Sequence, residues 1–542
     1  MKNSLHYFLI LFVALFTVFA LTSCKGKHKT LVEIGDEQQI MHIGNMSEPT
    51  EIDPHVTSGL QEYHLQMAIF EGLIVKHPQT LEVVPAAADS WTISEDGTVY
   101  TFHIRDTAKW SDGDKLTAYD FEYSWKRVLQ PEIGCAYTPD FFVIKNAEAY
   151  YKGEIKDFSE VGIKALDESH FQVTLNFPVA YFLVQLDNFS AYPVQKKTIE
   201  RFNAFKERGT RWTRPESFVG NGPFVIKEWI PSVIFSVKRN PYYWDAANLK
   251  LNEIHFYPYD NQLLEERMFK AGQVHKTEFL PSEKIEKYKD SPAYSGHPFY
   301  AVYFYVINTQ VKPLDDVRVR KALSYSIDRG SLVKNVTKGG QTPAFHYTPD
   351  NPYGYTPRAN FSYDIALAQQ LLADAGYPDG KGFPKIELTY NTHADHLKTA
   401  LAIQHMWKKN LGIDITLRNL EWKVYLDARN SKDFQILRMG TVADVLDPST
   451  FLFPMMTHNL LNFSAWGSVR YDELMELSKR AKTQEERFEY FQEADKILID
   501  EMPLLPLYTY TTNSLVSPSV KGYYKNILDY HPYKYIYLES SR

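Results

Sequence analysis

The stretch from Asp395 to Met439, DHLKTALAIQHMWKKNLGIDITLRNLEWKVYLDARNSKDFQILRM, holds two helix-then-strand units in succession. Asp395 to Leu411 reads as a helix closed by Gly412, the residue that most easily takes the left-handed turn ending a helix. Ile413-Asp414-Ile415-Thr416-Leu417 then alternates apolar and polar side chains, the period of a strand. Trp422 to Asn430 reads as a second helix and Phe434 to Met439 as a second strand. The run predicts a βαβ-type lobe whose strand ends carry exposed loops.

The pattern continues outward. Ser362 to Gly376 has a polar start, apolar residues at helical spacing (Leu367, Leu371, Leu372, Ala375), and Gly376 followed by Pro378 as its stop. Val99 to Arg105 alternates with period two after the turn signal Glu95-Asp96-Gly97, and reads as a strand leaving a hairpin. Phe171 to Asn176 and Val233 to Lys238 read the same way. Helices and strands thus alternate throughout, which predicts mixed α/β domains. A chain of 542 residues makes two or three of them. No short repeat or low-complexity tract interrupts the series.

Composition narrows the partners. The chain is 44% hydrophobic and 23% charged with a net charge of −7, and this mild acidity argues against nucleic acid, which needs a basic face. Its 37 Tyr, 33 Phe and 9 Trp suit a large wet binding surface or a large core.

The N-terminus sets the compartment. Lys2 precedes an almost unbroken apolar run, Phe8 to Leu21, shorter than the roughly 20 residues a helix needs to cross a bilayer. Small residues follow, so residues 1–23 read as a signal peptide. Leu21-Thr22-Ser23-Cys24 looks like the bacterial lipobox, in which the cysteine takes a diacylglycerol and becomes the new N-terminus. A plain signal peptide followed by an incidental cysteine is the other reading. Several acyl chains would hold the protein firmly on a membrane. Lys25 to Thr30 is then a short polar tether, and folding should begin near Leu31, within a leader region 24–40. Cys24 and Cys135 are the only cysteines, so lipidation of Cys24 leaves no intramolecular disulfide and the core must stabilise the chain.

Motifs of catalysis are missing from the sequence. There is no Gly-x-Ser-x-Gly elbow, no His-Glu-x-x-His helix and no phosphate-binding Gly-x-x-x-x-Gly-Lys-Ser/Thr loop. The 17 histidines are scattered and no metal site is expected; His393 and His396, three apart at a helix start, could share an ion but suit a surface or ligand-facing role better.

Five segments in series then carry a resemblance. They are Ala108-Lys109-Trp110-Ser111-Asp112-Gly113 with Thr117-Ala118-Tyr119-Asp120-Phe121; Asn221-Gly222-Pro223-Phe224; Arg239-Asn240-Pro241-Tyr242-Tyr243-Trp244; Asp316-Val317-Arg318-Val319-Arg320-Lys321-Ala322-Leu323; and Trp407-Lys408-Lys409-Asn410-Leu411-Gly412. In this order, from about Met41 to the C-terminus, they resemble the periplasmic oligopeptide-binding proteins, a family that includes dipeptide and murein-peptide receptors of ABC-type importers. Each segment also has a scaffold job: Trp110-Ser111-Asp112-Gly113 is a turn with an aromatic plug, and Asn240-Pro241 an extended bend before packed aromatics.

The resemblance implies an α/β periplasmic-binding-protein fold, two lobes closing like a flytrap about a hinge, with a third inserted domain. The first lobe would comprise 41–70, 195–298 and 512–542, the inserted domain 71–194, and the second lobe 299–511. Strands would cross between lobes near Phe299 to Asn308 and Leu504 to Asn513. It implies a monomeric binding lipoprotein of the periplasm or cell surface, without cofactor and not an enzyme, that hands short peptides to permease subunits in the cytoplasmic membrane. Murein peptides, dipeptides, haem or a chelated metal are alternative cargoes on the same fold, and an envelope enzyme or adhesin reusing the scaffold is the alternative from another class.

A receptor for varied peptides must bind what all peptides share. The amine needs a buried carboxylate, the backbone a strand edge, the terminal carboxylate a cation, and side chains roomy wet pockets. By resemblance, Asp444, in Gly440-Thr441-Val442-Ala443-Asp444, is the amine anchor, while Asp447 before Pro448 only caps local backbone. His396, Arg429 and Arg438 match carboxylate-binding positions, and Trp422, Tyr508 and Tyr510 are expected to line the pocket. Where the family often reads Gly-Trp-Cys-Ala-Asp this chain has Thr441 and Val442, and the cysteine's usual partner position is Ala301, so a lobe disulfide is lost as a unit. A lysine that helps hold the carboxylate in some members falls at Thr337, with Lys338 adjacent.

Overall fold

The structure, a computed structural model, describes residues 29–179, 181–350, 354–443, 445–481 and 483–540. The signal peptide and Cys24 lie outside the described residues. Within the expected leader 24–40, Leu31–Gln38 is already a helix, started by a capping box in which Thr30 and Glu33 satisfy each other's backbone N–H groups. This helix starts at Leu31, where folding was expected to begin, and occupies part of the stretch 24–40 expected as a tether.

Three sheets organise the chain. The first orders Ile40–Gly44, Glu253–Tyr257, Ile234–Arg239 and Phe224–Ile230, drawing on distant parts of the chain. A second four-stranded sheet orders Ala88–Ile93, Val99–Ile104, His170–Thr174 and Ile163–Ala165. Among the described residues, the fully buried members of its core run from Leu73 to Ala191, with Val56 and Val219 packed against them. At its hairpin, Asp96 accepts from Thr98 N–H and Gly97 has φ +70°, the chemistry the turn signal called for. The aromatic plug is present too: Trp110 is 1% exposed beside Gly113 at φ +93°.

The third sheet has six strands in the order Thr342–Pro343, Leu504–Leu515, Tyr294–Ile307, Ile436–Val442, Ile386–Asn391 and Ile415–Leu420. Ile386–Asn391 pairs in parallel with both Ile415–Leu420 and Ile436–Val442, with helices Ala394–Leu411 and Trp422–Ser431 as the crossovers. This is the βαβ lobe expected from the opening stretch, with Gly412 left-handed at φ +72°. The helix expected from Ser362 starts later, at Ile365, because the Asp364 carboxylate accepts from Leu367 N–H. Its inward face also differs. Ala368 and Leu372 are buried while Leu367 is 43% exposed.

Two strands of this sheet are long and central. Tyr294–Ile307 lies between Leu504–Leu515 and Ile436–Val442, antiparallel to both. Its last eight residues are all buried. Tyr300, Val302, Phe304 and Val306 enter one core, and Tyr303, Tyr305 and Ile307 the opposite one. The two-residue period of a strand thus binds two cores through one backbone. Ala301 and Val442, the two positions of the lost disulfide, are register partners. Cys135 is a buried free thiol, its pKa pushed up to about 12 by burial.

One buried ion pair ties the first and second sheets' surroundings together. Arg127, fully buried, donates to both oxygens of Asp53 at 2.9 and 2.6 Å and to the Ala204 carbonyl at 2.9 Å. Trp212 Nε1 and His55 N–H complete the carboxylate's partners. Burial and Arg127 lower the His55 pKa to about 4, which keeps it a neutral acceptor for the guanidinium. Because both charges are out of water, removing one strands the other. Arg127→Ala is expected to lower unfolding free energy by about 3–5 kcal/mol, measured by urea denaturation; a loss under 1 kcal/mol would mean the pair is not an anchor.

Candidate functional site

A cavity of about 400 Å³ lies between the first and second lobes. Its second-lobe wall sits at the C-terminal ends of the parallel strands, where an α/β sheet opens its crevice. Asn391, Thr392 and His393 follow one strand and Val442 and Ala443 end another, all facing the cavity.

Two guanidiniums dominate this wall. Arg438 projects from strand Ile436–Val442 and donates to Tyr510 Oη at 2.5 Å and to Asn391 Oδ1 at 3.4 Å. Its guanidinium lies 4.6 Å from the Tyr303 ring centroid, and its Nε is buried without a hydrogen-bond partner. Arg429, on helix Trp422–Ser431, donates to Ser58 Oγ across the cleft at 3.3 Å and stacks 4.6 Å from Phe463. Burial lowers its pKa. Among the described residues, no carboxylate forms an ion pair with either group. Two half-buried cations without an acid paired to them make an anion-seeking surface.

The histidines stay neutral beside them. His396 is 8% exposed, its ring centroid 4.4 Å from that of His393. Burial first, then the Arg438 charge, hold the His396 pKa well below its ordinary value, and burial lowers that of His393 to about 4. Neutral imidazoles can accept or donate toward an incoming carboxylate without adding charge. The pair is no metal cage: Asp395 turns away, accepting from Ser282 Oγ at 2.9 Å and Gln262 Nε2 at 3.3 Å on the first lobe.

Strand Ile436–Val442 also offers backbone. On one edge it pairs along its length with Tyr294–Ile307, but Ile386–Asn391 covers the other edge only at Ile436 and Leu437. From Arg438 to Val442 that edge meets no described strand, and Met439 to Ala443 line the cavity. Gly440 is required here, because a Cβ would sit 2.7 Å from Tyr510 Oη.

Trp422, Tyr508 and Tyr510 all line the cavity as expected, Trp422 stacked on Tyr425 with centroids 5.5 Å apart. Asp444 lies outside the described residues. Asp447 caps Ser449 N–H, as expected, and is also clamped by Arg487 through both oxygens. Thr337 lines the cavity, its hydroxyl bound to Gln341. Lys338 does not replace the missing lysine: it is exposed and caps a helix end at φ +57°. Thr441 donates to or accepts from Tyr347 Oη at 3.1 Å where the family often has tryptophan.

The first-lobe wall was not read from the sequence. It presents Glu265, Lys276, Glu278 and Asp529. Lys276 pairs with Glu278 at 2.7 Å, and burial pushes the Glu265 carboxyl up to about 8. No local motif marks these residues; Tyr303 and Tyr425 were equally silent because each reads as ordinary core.

Comparisons with known proteins agree with this architecture. Residues 82–460 match the family model described as bacterial extracellular solute-binding proteins, family 5. The periplasmic murein peptide-binding protein MppA of Escherichia coli (strain K12) is 36% identical over 498 residues, 90% of each chain. One crystal structure of MppA superposes with TM-score 0.87 at 35% identity, covering 92% of this chain and 98% of that one. Its unliganded open form reaches only 0.64, covering 93% and 98%. Haemophilus influenzae OppA in complex with the peptide RPPGFSPFR superposes at 0.88 with 30% identity, covering 93% and 99%. These relatives are binding proteins, not enzymes. Two lobes about a cleft, a separate second four-stranded sheet and a sequence match across most of the chain make this protein a member of the bacterial extracellular solute-binding proteins, family 5.

Proposed function

We propose that this chain captures short peptides in the interlobe cleft and delivers them to the permease of an ABC-type importer. The supporting observation is the uncovered strand edge from Arg438 to Val442, which begins at a half-buried guanidinium with no carboxylate paired to it among the described residues. A peptide added to that edge bonds through its backbone, which ignores side-chain identity. Its carboxylate meets Arg438, with Arg429 and His396 close by, and its amine runs toward Asp444. Names of relatives that bind oligopeptides or murein peptides fit the same end groups.

Contacts across the cleft support capture by closure. Asp395 accepts from Ser282 and Gln262, Lys398 meets Glu283 at 2.6 Å, and Arg429 meets Ser58. The lower similarity to the open MppA form points the same way. We place the hinge in the two long strands and the three bodies at 41–70 with 195–298 and 512–542, at 71–194, and at 299–511. The protein acts as an exported monomer, held on the membrane by lipid on Cys24.

Arg438→Met should cost about 2–5 kcal/mol of affinity for a free tripeptide. C-terminal amidation should cost the unaltered protein a similar amount and the variant almost nothing more, a coupling read by calorimetry as a double-mutant cycle. Additive losses would reject Arg438 as the carboxylate partner. Asp444→Ala, or N-acetylation of the peptide, should each cost about 3–5 kcal/mol if the carboxylate pairs a buried amine; equal binding of acetylated and free peptides would reject that anchor. Cys24→Ala should move the expressed protein from the detergent phase to the aqueous phase of a Triton X-114 partition, whereas unchanged partitioning would reject lipidation.

A further inference from the structure

Opposite the peptide-binding wall, His297 meets Asp529 and His531 from a distant part of the chain. His531 Nε2 lies 2.7 Å and His297 Nε2 3.4 Å from the same Asp529 oxygen. The three ligand atoms all fall within 4.8 Å of one another, and among the described residues no other group of three potential ligands does so. Tetrahedral ligands with bonds of about 2.0–2.1 Å stand roughly 3.3 Å apart, so small side-chain rotations would close this triad on one ion.

The surroundings are built rather than incidental. His297 Nδ1 is held 2.8 Å from Thr512 Oγ1, which turns Nε2 toward Asp529. The Tyr523 ring covers His531 at 3.6 Å between centroids, nearly parallel. One imidazole already satisfies the near oxygen of Asp529. The second is surplus: the His297 side chain is 9% exposed, its Nε2 aims at the carboxylate, and that atom has no hydrogen-bond partner. A buried polar atom left unmade is costly, and an ion would occupy it. Lys276, the fixed cation nearby, is engaged by Glu278.

We propose that His297, Asp529 and His531 bind one divalent transition-metal ion of the zinc type. Two imidazoles and one carboxylate suit borderline ions and not calcium or magnesium, which take oxygen ligands. Asp529 also lines the cavity, so a bound ion would lie beside the cleft.

The test is zinc titration of the chelator-stripped full chain against a chromophoric competitor, with cobalt(II) absorption as the geometric readout. One zinc per chain and intense tetrahedral cobalt bands are expected. His297→Gln and His531→Gln should each weaken zinc at least ~100-fold, the upper end of losses seen when mere outer-shell partners are removed. His103→Gln, which alters a half-exposed histidine near His170, should leave it unchanged. No uptake by the unaltered chain, a weak octahedral cobalt spectrum, uptake that survives both substitutions, or loss with His103→Gln would each overturn the site. The cobalt spectrum needs no variant to fold.

Discussion

A guanidinium removed from water destabilises a fold by several kcal/mol unless something answers its charge. Arg438 is half-buried among Tyr303, Tyr425, Tyr508 and Tyr510, with one short bond to a phenol and a buried, orphaned Nε. The rest of the cleft makes sense around this unfinished interaction. Tyrosines supply polarity without negative charge, the adjacent histidines are held neutral, and Asp395, the acid nearest in sequence, is drawn off to the first lobe. The contrast with Arg127 is instructive. That guanidinium is fully buried and doubly bonded to Asp53, and nothing about it invites a partner.

Much of this architecture could be read from local chemistry. Gly412, Gly97 and the alternation of Val99–Ile104 each report a backbone requirement that only a few residues meet. Where reading slipped, a competing local bond decided the matter. Asp364 captured a helix start that Ser362 suggested, and Thr30 with Glu33 built a helix inside an expected tether. His396, Arg429 and Arg438 were picked out through the family resemblance and not by periodicity, and all three lie on one helix-strand-helix-strand run. The first-lobe wall was not legible, because Glu265, Lys276 and Asp529 are scattered over a wide range of sequence and meet only after folding. The His297–Asp529–His531 convergence is the extreme case, since its spacing matches no linear metal pattern.

Closure and recognition share structural elements. Helix Ala394–Leu411 carries His396 toward the cavity in the same turns that send Asp395 and Lys398 to the first lobe. Strand Tyr294–Ile307 joins two cores through alternate side chains and also places Tyr303 against Arg438. A cargo that engages the guanidinium therefore touches the elements that move, and differential contact of this kind is what lets a ligand shift a two-state equilibrium.

The register pair Ala301 and Val442 has a consequence for biogenesis. The residues paired there carry a methyl and an isopropyl group, with no thiol on either, at the end of the strand whose free edge faces the cleft. With Cys135 sequestered in another core, the binding lobe can mature without an oxidant, an isomerase or any risk of scrambled thiols. Its competence is thus indifferent to the redox state of whatever compartment receives it.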